Sequence, residues 1–387
     1  METAVVIDAL RTPVAKACPR EGWYRDVRSD DLSADLIREL VGRNKLDPAL
    51  VEDVKWGCCQ QQGEQAFDIA RTAALLAGLP VETTGVTIHR NCASSLEAIH
   101  LAAMSIQTGN EDVQIAGGVE HMDHVPMMKD VDPSQRLYAR HSKAIMNMGL
   151  TAENLAQQYG ISREEQDAFA VRSHHLAAAA QDRGEFESEL SSPVGRDLSG
   201  RKVRITRDQC VRADSSVEDL AKLRPVFLRD GTGTVTAGSS SPLSVGAAAL
   251  LMMSSRRAEE LGLKPIAQVL SHAVAGVAPE IMGIGPVPAT QQALKRAGLA
   301  LGDIGCIELN EAFAAQSLAV LREWGVSDEK VNTRGGAIAI GHPLGGSGAR
   351  IATTLLHRMR SEGQALGLAT MCVGMGQGSA AIFKLVE

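Results

Sequence analysis

Four polar residues stand where this chain could do chemistry. Cys92 follows the β-branched run Val86-Thr87-Ile88 and precedes the helix-like Ser94-Ser95-Leu96-Glu97-Ala98-Ile99. A thiol at a helix N-terminus meets free backbone N–H groups and the positive end of the helix dipole, and both favour the nucleophilic thiolate. An arbitrary free cysteine is more often a small buried hydrophobe, by roughly two to one; the junction pulls Cys92 toward chemistry. His342 lies in Gly341-His342-Pro343-Leu344-Gly345-Gly346-Ser347-Gly348, where the proline suits a helix start and the glycines allow close backbone approach. The run lacks both the Lys-Ser/Thr ending of a P-loop and the spacing of a dinucleotide fingerprint, so both nucleotide readings are rejected. Cys372 ends the apolar segment from Leu366 and precedes Val373-Gly374-Met375-Gly376-Gln377-Gly378, which aims it at the crevice of an α/β sheet. Asn310-Glu311-Ala312-Phe313 offers a carboxamide and a carboxylate at another strand-to-helix junction, with an N-cap as the plain alternative for Asn310.

The elements that must position these residues form a weak internal repeat. A helix over Leu32–Val41, with Asp31 as its N-cap, leads to Leu46-Asp47-Pro48 and Val51-x-x-Val54-x-x-Gly57. A helix over Thr290–Ala297 leads to Leu299-Ala300-Leu301 and Ile304-x-x-Ile307-x-x-Asn310. Cys92 then follows the first copy, and His342 the second, each ahead of an alanine-rich helix. Each copy closes with a strand (Val113–Ala116 and Leu366–Cys372) and a glycine turn, Gly117-Gly118 and Gly374-Met375-Gly376. Two similar α/β halves are the simplest reading.

The region from Met122 to Val245 departs from the repeat and reads as a long excursion of the kind that carries binding surfaces. Within it His174-His175 reads as a solvated helix face, while Met127, Met128, Met146 and Met148 suit core packing or an apolar pocket. Val203-Arg204-Ile205 is a short strand candidate. Cys58-Cys59 would project oppositely on a strand, which makes them poor partners for one site.

Taken together, four blocks resemble the thiolase family across essentially the whole chain: Asn91-Cys92-Ala93-Ser94-Ser95, Asn310-Glu311-Ala312-Phe313, Gly341-His342-Pro343-x-Gly345-x-Ser347-Gly348 and Cys372-x-Gly374-x-Gly376-x-Gly378. Gly117-Gly118-Val119-Glu120-His121-Met122 with His124-Val125-Pro126-Met127 is most similar to the thiolase subunit of bacterial fatty-acid oxidation complexes. The resemblance implies an α/β fold with a layered αβαβα core. Residues 1–121 with 246–264 would form one half, 122–245 an inserted loop domain that binds coenzyme A, and 265–387 the other half. It also implies roles: Cys92 as acyl-carrying nucleophile, His342 as its base, and Cys372 as the second acid/base. Asn310 would hold a water that completes one oxyanion hole with His342. The backbone N–H groups of Cys92 and Gly374 would form the other hole, Ser241 would contact pantetheine, and Met148 would line the acyl pocket. The implied reaction cleaves 3-ketoacyl-CoA with CoA to acetyl-CoA and a shortened acyl-CoA, the last step of β-oxidation. Acetoacetyl-CoA synthesis with the same residues is the alternative. CoA is a substrate, and no metal or other cofactor is expected. The implied partners are a second copy and a hydratase/3-hydroxyacyl-CoA dehydrogenase chain. Two departures stand out: Ala93 replaces a common glycine, and Val245 replaces a common aspartate.

Composition sets the bounds. The chain has 387 residues, 39 Lys+Arg against 46 Asp+Glu, a net charge of −7 and 44% hydrophobic residues, which suits a globular protein of two or three domains. The acidic balance, with only the short basic stretch Arg201–Arg204, argues against nucleic acid. No apolar run suits a membrane span or a secretory signal. Seven cysteines, odd in number and without paired CxxC spacing, exclude a disulfide framework and point to a reducing cytoplasm. A non-enzymatic thiolase-like binding protein would be expected to lose one of the four chemical groups, and all four are present.

Overall fold

The computed structural model describes residues 2–386. In chain order the first half runs β1 (Ala4–Arg11), β2 (Ala15–Lys16), α1 (Ser29–Arg43), β3 (Asp53–Gly57), α2 (Ile69–Ala77), β4 (Thr84–Ile88), α3 (Ser94–Thr108) and β5 (Val113–His121). The excursion follows with α4 (Gln135–Tyr138), α5 (Met148–Tyr159), α6 (Arg163–Asp182), the hairpin β6 (Val194–Arg196) and β7 (Lys202–Arg204), and α7 (Val217–Ala221). The chain returns as β8 (Ser244–Ser254) and α8 (Ser255–Glu260). The first-half strands lie in the order β4-β3-β5-β8-β1. β3 is parallel to β4 and β5, whereas β8 is antiparallel to β5 and β1.

The second half repeats this order. It comprises β9 (Ala267–Gly276), α9 (Pro286–Ala297), β10 (Cys306–Leu309), α10 (Ala314–Trp324), α11 (Ala337–Ile340), α12 (Ser347–Glu362), β11 (Leu366–Val373) and β12 (Gln377–Leu385). The sheet runs β10-β11-β12-β9, and Val331 bridges in parallel to Ile307 where the first half has β4. Val54 on β3 and Ile307 on β10 therefore occupy equivalent positions, as the repeat requires. β1 and β9 meet at Val5–Gln268 and Val6–Ala267, joining both halves into one ten-stranded sheet.

Three apolar cores build the layers. Leu36, Ile37 and Leu40 of α1 with Ala70 and Ala73 of α2 cover the outer face of the first half. Leu96 and Ile99 of α3 meet Ala352 and Leu355 of α12 between the two halves. Ala293 and Leu294 of α9 with Val320 of α10 cover the far face, joined there by Leu155 and Phe169 from the excursion. The strands of the middle layers are buried on both faces, which is why they read as continuous apolar runs rather than alternating ones. Gly348 lets α12 touch α3, since a Cβ there would lie 2.3 Å from the Leu96 nitrogen.

Several local expectations are corrected. α1 begins at Ser29 with Arg28 at the cap position, so Asp31 sits in the first turn beside Asp30, where its charge favours the helix dipole. Gly117-Gly118 lie inside β5, which continues to His121, because β8 pairs along its whole length. Asn310 is not a cap; Phe313 occupies that position for α10. His174 is buried and its Nδ1 accepts from the Arg212 N–H at 3.2 Å, leaving only His175 exposed. Among the described residues no helix is long and apolar enough to cross a membrane.

Candidate active site

The ends of β4 and β11, the loop ahead of α12 and the excursion converge on one cavity of about 490 Å³. Cys92, His342, Cys372, Gly374, Ser241 and Met148 all line it. Asn310 stands directly behind His342, with its Nδ2 3.5 Å from the imidazole Nε2. Most of the remaining wall is apolar, including Met127, Met128, Met146 and Phe227. Such a lining excludes water and strengthens every polar interaction within it.

Cys92 is half-buried and sits one residue ahead of the α3 cap. Burial pushes its thiol up to about 11, while the backbone N–H groups of Gly374 and of Cys92 itself pull the other way by favouring the thiolate. Two amides thus face the sulfur. Ala93 takes φ −97°, a conformation open to any L-residue, so the alanine replaces the familiar glycine without strain.

His342 is buried, and its environment keeps it neutral. Burial first, and then the Arg350 charge, push its imidazole down to about 3. Its Nδ1 lies 2.6 Å from Ser347 Oγ, and its backbone N–H donates to Ser244 Oγ at 3.1 Å. With Nδ1–H donating to Ser347, Nε2 keeps its lone pair, consistent with the Asn310 amide facing it. Gly341 is required here: its φ is +119°, and a Cβ would lie 2.6 Å from both Ser244 Oγ and Val14 Cγ1. Pro343 does not start α12 itself. It precedes a short 3₁₀ turn, Leu344–Gly346, that separates His342 from the helix.

Cys372 lies near the end of β11, is fully enclosed, and has its thiol raised well above the ordinary range by burial and by the neighbouring Cys92. Both cysteines therefore rest as thiols. Asn310 donates its backbone N–H to the Thr370 carbonyl at 3.0 Å, and its Oδ1 is buried without a partner among the described residues. Glu311 turns away from the cavity. It accepts from Ser173 Oγ at 2.7 Å, Asn332 Nδ2 at 2.8 Å and the Ile338 N–H at 3.2 Å, and so ties down the loop leading to α11. The Ser241 N–H donates to the Ala312 carbonyl at 3.0 Å, fixing the cavity mouth to the second half. Val245 packs in the outer core of the first half, so its departure from aspartate does not reach the cavity. Its neighbour Ser244 faces the site instead.

Reading the sequence alone missed several supporting residues. Glu120 is buried and accepts from the N–H groups of Cys59, Gln60 and Gly345 at 2.9–3.0 Å and from Gln65 Nε2 at 2.8 Å. One carboxyl thus pins the loop after β3 to the glycine turn after His342. Ser244 and Ser347 hold the histidine. Cys59 lines the cavity, whereas Cys58 is turned toward Glu120, so the adjacent pair does divide between two environments. A charged residue amid the apolar Gly-Gly-Val-Glu run was the one available signal for Glu120.

Glu64, His121 and His124 come together with potential ligand atoms within 4.8 Å of one another. Every ring nitrogen there is already engaged. His121 Nδ1 accepts from the His124 N–H at 3.1 Å and its Nε2 faces the Tyr24 carbonyl at 3.2 Å. His124 spans Glu64 Oε1 at 3.1 Å and the Arg25 carbonyl at 2.8 Å. The cluster is a clasp between three chain segments and does not fit a metal centre.

Comparison with known proteins agrees with this architecture. Residues 4–256 match the family described as "Thiolase, N-terminal domain", and residues 263–385 match "Thiolase, C-terminal domain". The chain is 55% identical over 386 residues to a 3-ketoacyl-CoA thiolase of a Marinomonas species, covering 99% of this chain and 98% of the relative. It is 53% identical to a 3-ketoacyl-CoA thiolase of Aeromonas hydrophila, covering 100% of each chain. Among solved structures, human mitochondrial 3-ketoacyl-CoA thiolase superposes with a TM-score of 0.91 at 36% identity, covering 100% of this chain and 99% of that one. The Bacillus anthracis acetyl-CoA acetyltransferase gives 0.90 at 40% identity with the same coverage. The chain belongs to the thiolase family of acyltransferases.

Proposed function

We propose that the chain cleaves 3-ketoacyl-CoA with CoA, giving acetyl-CoA and an acyl-CoA shortened by the acetyl unit, in fatty-acid β-oxidation. The observation that carries the reading is the convergence of Cys92, His342 and Cys372 on one apolar cavity with Asn310 behind the histidine. Cys92 attacks the 3-keto carbon while its proton passes to His342 Nε2, the nitrogen with the free lone pair. The new oxyanion meets the N–H groups of Cys92 and Gly374. Cleavage of the carbon–carbon bond leaves an enolate, whose oxygen faces His342 and a water that the free Asn310 Oδ1 is placed to hold. Cys372, a thiol at neutral pH, delivers the proton to carbon. The proton that His342 took from Cys92 then restores the Cys372 thiol, and the freed Nε2 takes the proton of incoming CoA, whose sulfur displaces the acyl group, and passes it to the departing Cys92 thiolate. CoA enters as substrate, so the cycle closes without a resident cofactor. Ser241 and Met148, at the mouth and wall, are assigned to pantetheine and acyl contacts.

The same reading places the chain in a homodimer, joined to a hydratase/3-hydroxyacyl-CoA dehydrogenase subunit. Among the described residues β4 is an unpaired sheet edge carrying exposed Val86, and Phe67 nearby is 99% exposed, a combination that favours covering by another chain. Two obligate free thiols favour a reducing compartment, the cytoplasm.

Acetoacetyl-CoA synthesis is the second reading, favoured by the 40% identity to an acetyl-CoA acetyltransferase. Thiolysis measured from short to long 3-ketoacyl-CoA, with native mass recorded in parallel, separates the two. Cleavage extending beyond the four-carbon substrate is expected. Activity confined to that substrate supports the second reading, and no cleavage of any length overturns both.

A further inference from the structure

Asn91 directly precedes the nucleophile, and none of the roles above uses its side chain. Its backbone sits at φ +45°, in the left-handed region that asparagine tolerates better than other residues with a side chain. Its Nδ2 donates at 3.0 Å to the carbonyl of Gly374, across a sequence separation of 283 residues. That carbonyl receives a second donor, Gln377 Nε2, at 3.4 Å. Gln377 is in turn held by Arg90 Nη1 at 3.2 Å, and Arg90 Nη2 is anchored on Glu97 Oε1 at 2.8 Å. Asn91 directly, and Arg90 through Gln377, therefore tie the residues just ahead of Cys92 to one turn of the second half.

That turn needs gripping. It spans 374–376 between β11 and β12, outside the strand ladder, and Met375 and Gly376 take φ of 67° and 81° in succession. Asn91 holds the carbonyl of Gly374, whose N–H is one of the two backbone amides favouring the Cys92 thiolate, and Asn91, Cys92 and Gly374 line the same cavity. A shift of a few tenths of an ångström would spoil the hydrogen bond to a developing oxyanion, because such donors act by being already in place.

We propose that Asn91 is a positioning residue that fixes the Gly374 amide over Cys92, so that the first half supplies both the nucleophile and the tether that aligns the donor from the second half. The proposal rests on the thiolase reading for the role of that donor. Two variants test it. Asn91→Gly keeps the left-handed backbone available and deletes the amide. Asn91→Asp keeps the shape and sets a carboxylate oxygen against the Gly374 carbonyl. Displacing rather than removing one oxyanion donor should lower kcat by about 10- to 100-fold with KM changed less than about threefold, the larger loss falling on Asn91→Asp. Alkylation of Cys92 by iodoacetamide should shift its pH profile upward in both variants, because the N–H that favours the thiolate has moved. Alkylation needs no substrate, so it reads the tether even if wild-type protein cleaved no 3-ketoacyl-CoA, which would instead sink the thiolase reading. A kcat within about twofold of wild type in Asn91→Gly overturns the proposal. So does a kcat loss without movement of the alkylation profile, which would mark Asn91 as structural only. Should Asn91→Asp fail to fold, Asn91→Gly alone decides.

Discussion

The two halves share a strand order and differ in what hangs from equivalent points. In the first half the connection between the last two pairing strands, β5 and β8, is 122–243, the excursion less its last two residues because β8 already begins at Ser244; in the second the corresponding link from β11 to β12 is the turn 374–376. The long connection builds the apolar wall and mouth, with Met127, Met148 and Ser241. The short one presents a backbone N–H to the sulfur. The junction ahead of the inner helix differs as well. Cys92 stands one residue from the α3 cap, half-exposed to the cavity, whereas His342 is set back from α12 by Pro343 and a 3₁₀ turn and is buried between two serines. Under the proposed reaction this asymmetry of a duplicated scaffold has a chemical reason: a nucleophile must reach substrate, while its base must stay neutral.

Breaking that asymmetry should cost most at the nucleophile. Cys92→Ser is expected to lower thiolysis by about 10⁴-fold or more with an unchanged thermal midpoint, since an alcohol beside the same imidazole is a far poorer nucleophile. Steady-state thiolysis paired with calorimetry checks it, and near wild-type turnover would reassign the nucleophile.

A smaller loss, about 10²- to 10⁴-fold, is expected for the second-half proton carriers in His342→Asn and Cys372→Ser. These two should separate in a second assay. Label exchange between CoA and acetyl-CoA makes no carbon–carbon bond and needs no carbanion protonated, so Cys372→Ser should retain far more exchange than thiolysis. His342→Asn should lose both. Equal loss of exchange in both variants would collapse the proposed division of labour.

The smallest effect concerns stability. The folded state holds His342 near 3, below its usual 6.5, so between those values the unfolded chain binds the extra proton and stability falls with falling pH. His342→Asn removes that liability. Its stability relative to wild type should improve by roughly 2 kcal/mol between about pH 7.5 and pH 5, measured by denaturant unfolding. A difference that does not change with pH would show that the imidazole is not held neutral.

Much of this was legible in order along the chain. The repeat predicted β3 and β10 as counterparts because apolar spacing is a local record of burial. The glycine-rich blocks announced tight junctions at Cys92, His342 and Cys372. Where the reading failed, a distant neighbour decided: Gly117-Gly118 became strand because β8 pairs there, and His174 turned inward, where its Nδ1 accepts from the Arg212 N–H. Glu311 offered a carboxylate beside Asn310 at the same junction. Its partners in the Ser173–Asn332 network lie far along the chain, so no local pattern recorded that it turns away from the cavity.

By itself the sequence determined the two-half plan, the excursion and the identities of the thiols, imidazole and carboxamide, since each is written in residue type and local spacing. Only the tertiary structure decided that these groups share one cavity, that Ser244, Ser347 and Glu120 hold the loops around it, and that Asn91 grips the Gly374 turn. It also decided their protonation. A thiol and an imidazole take their proton affinities from the water they lose and the dipoles they gain. Those depend on residues hundreds of positions away, which no local pattern records.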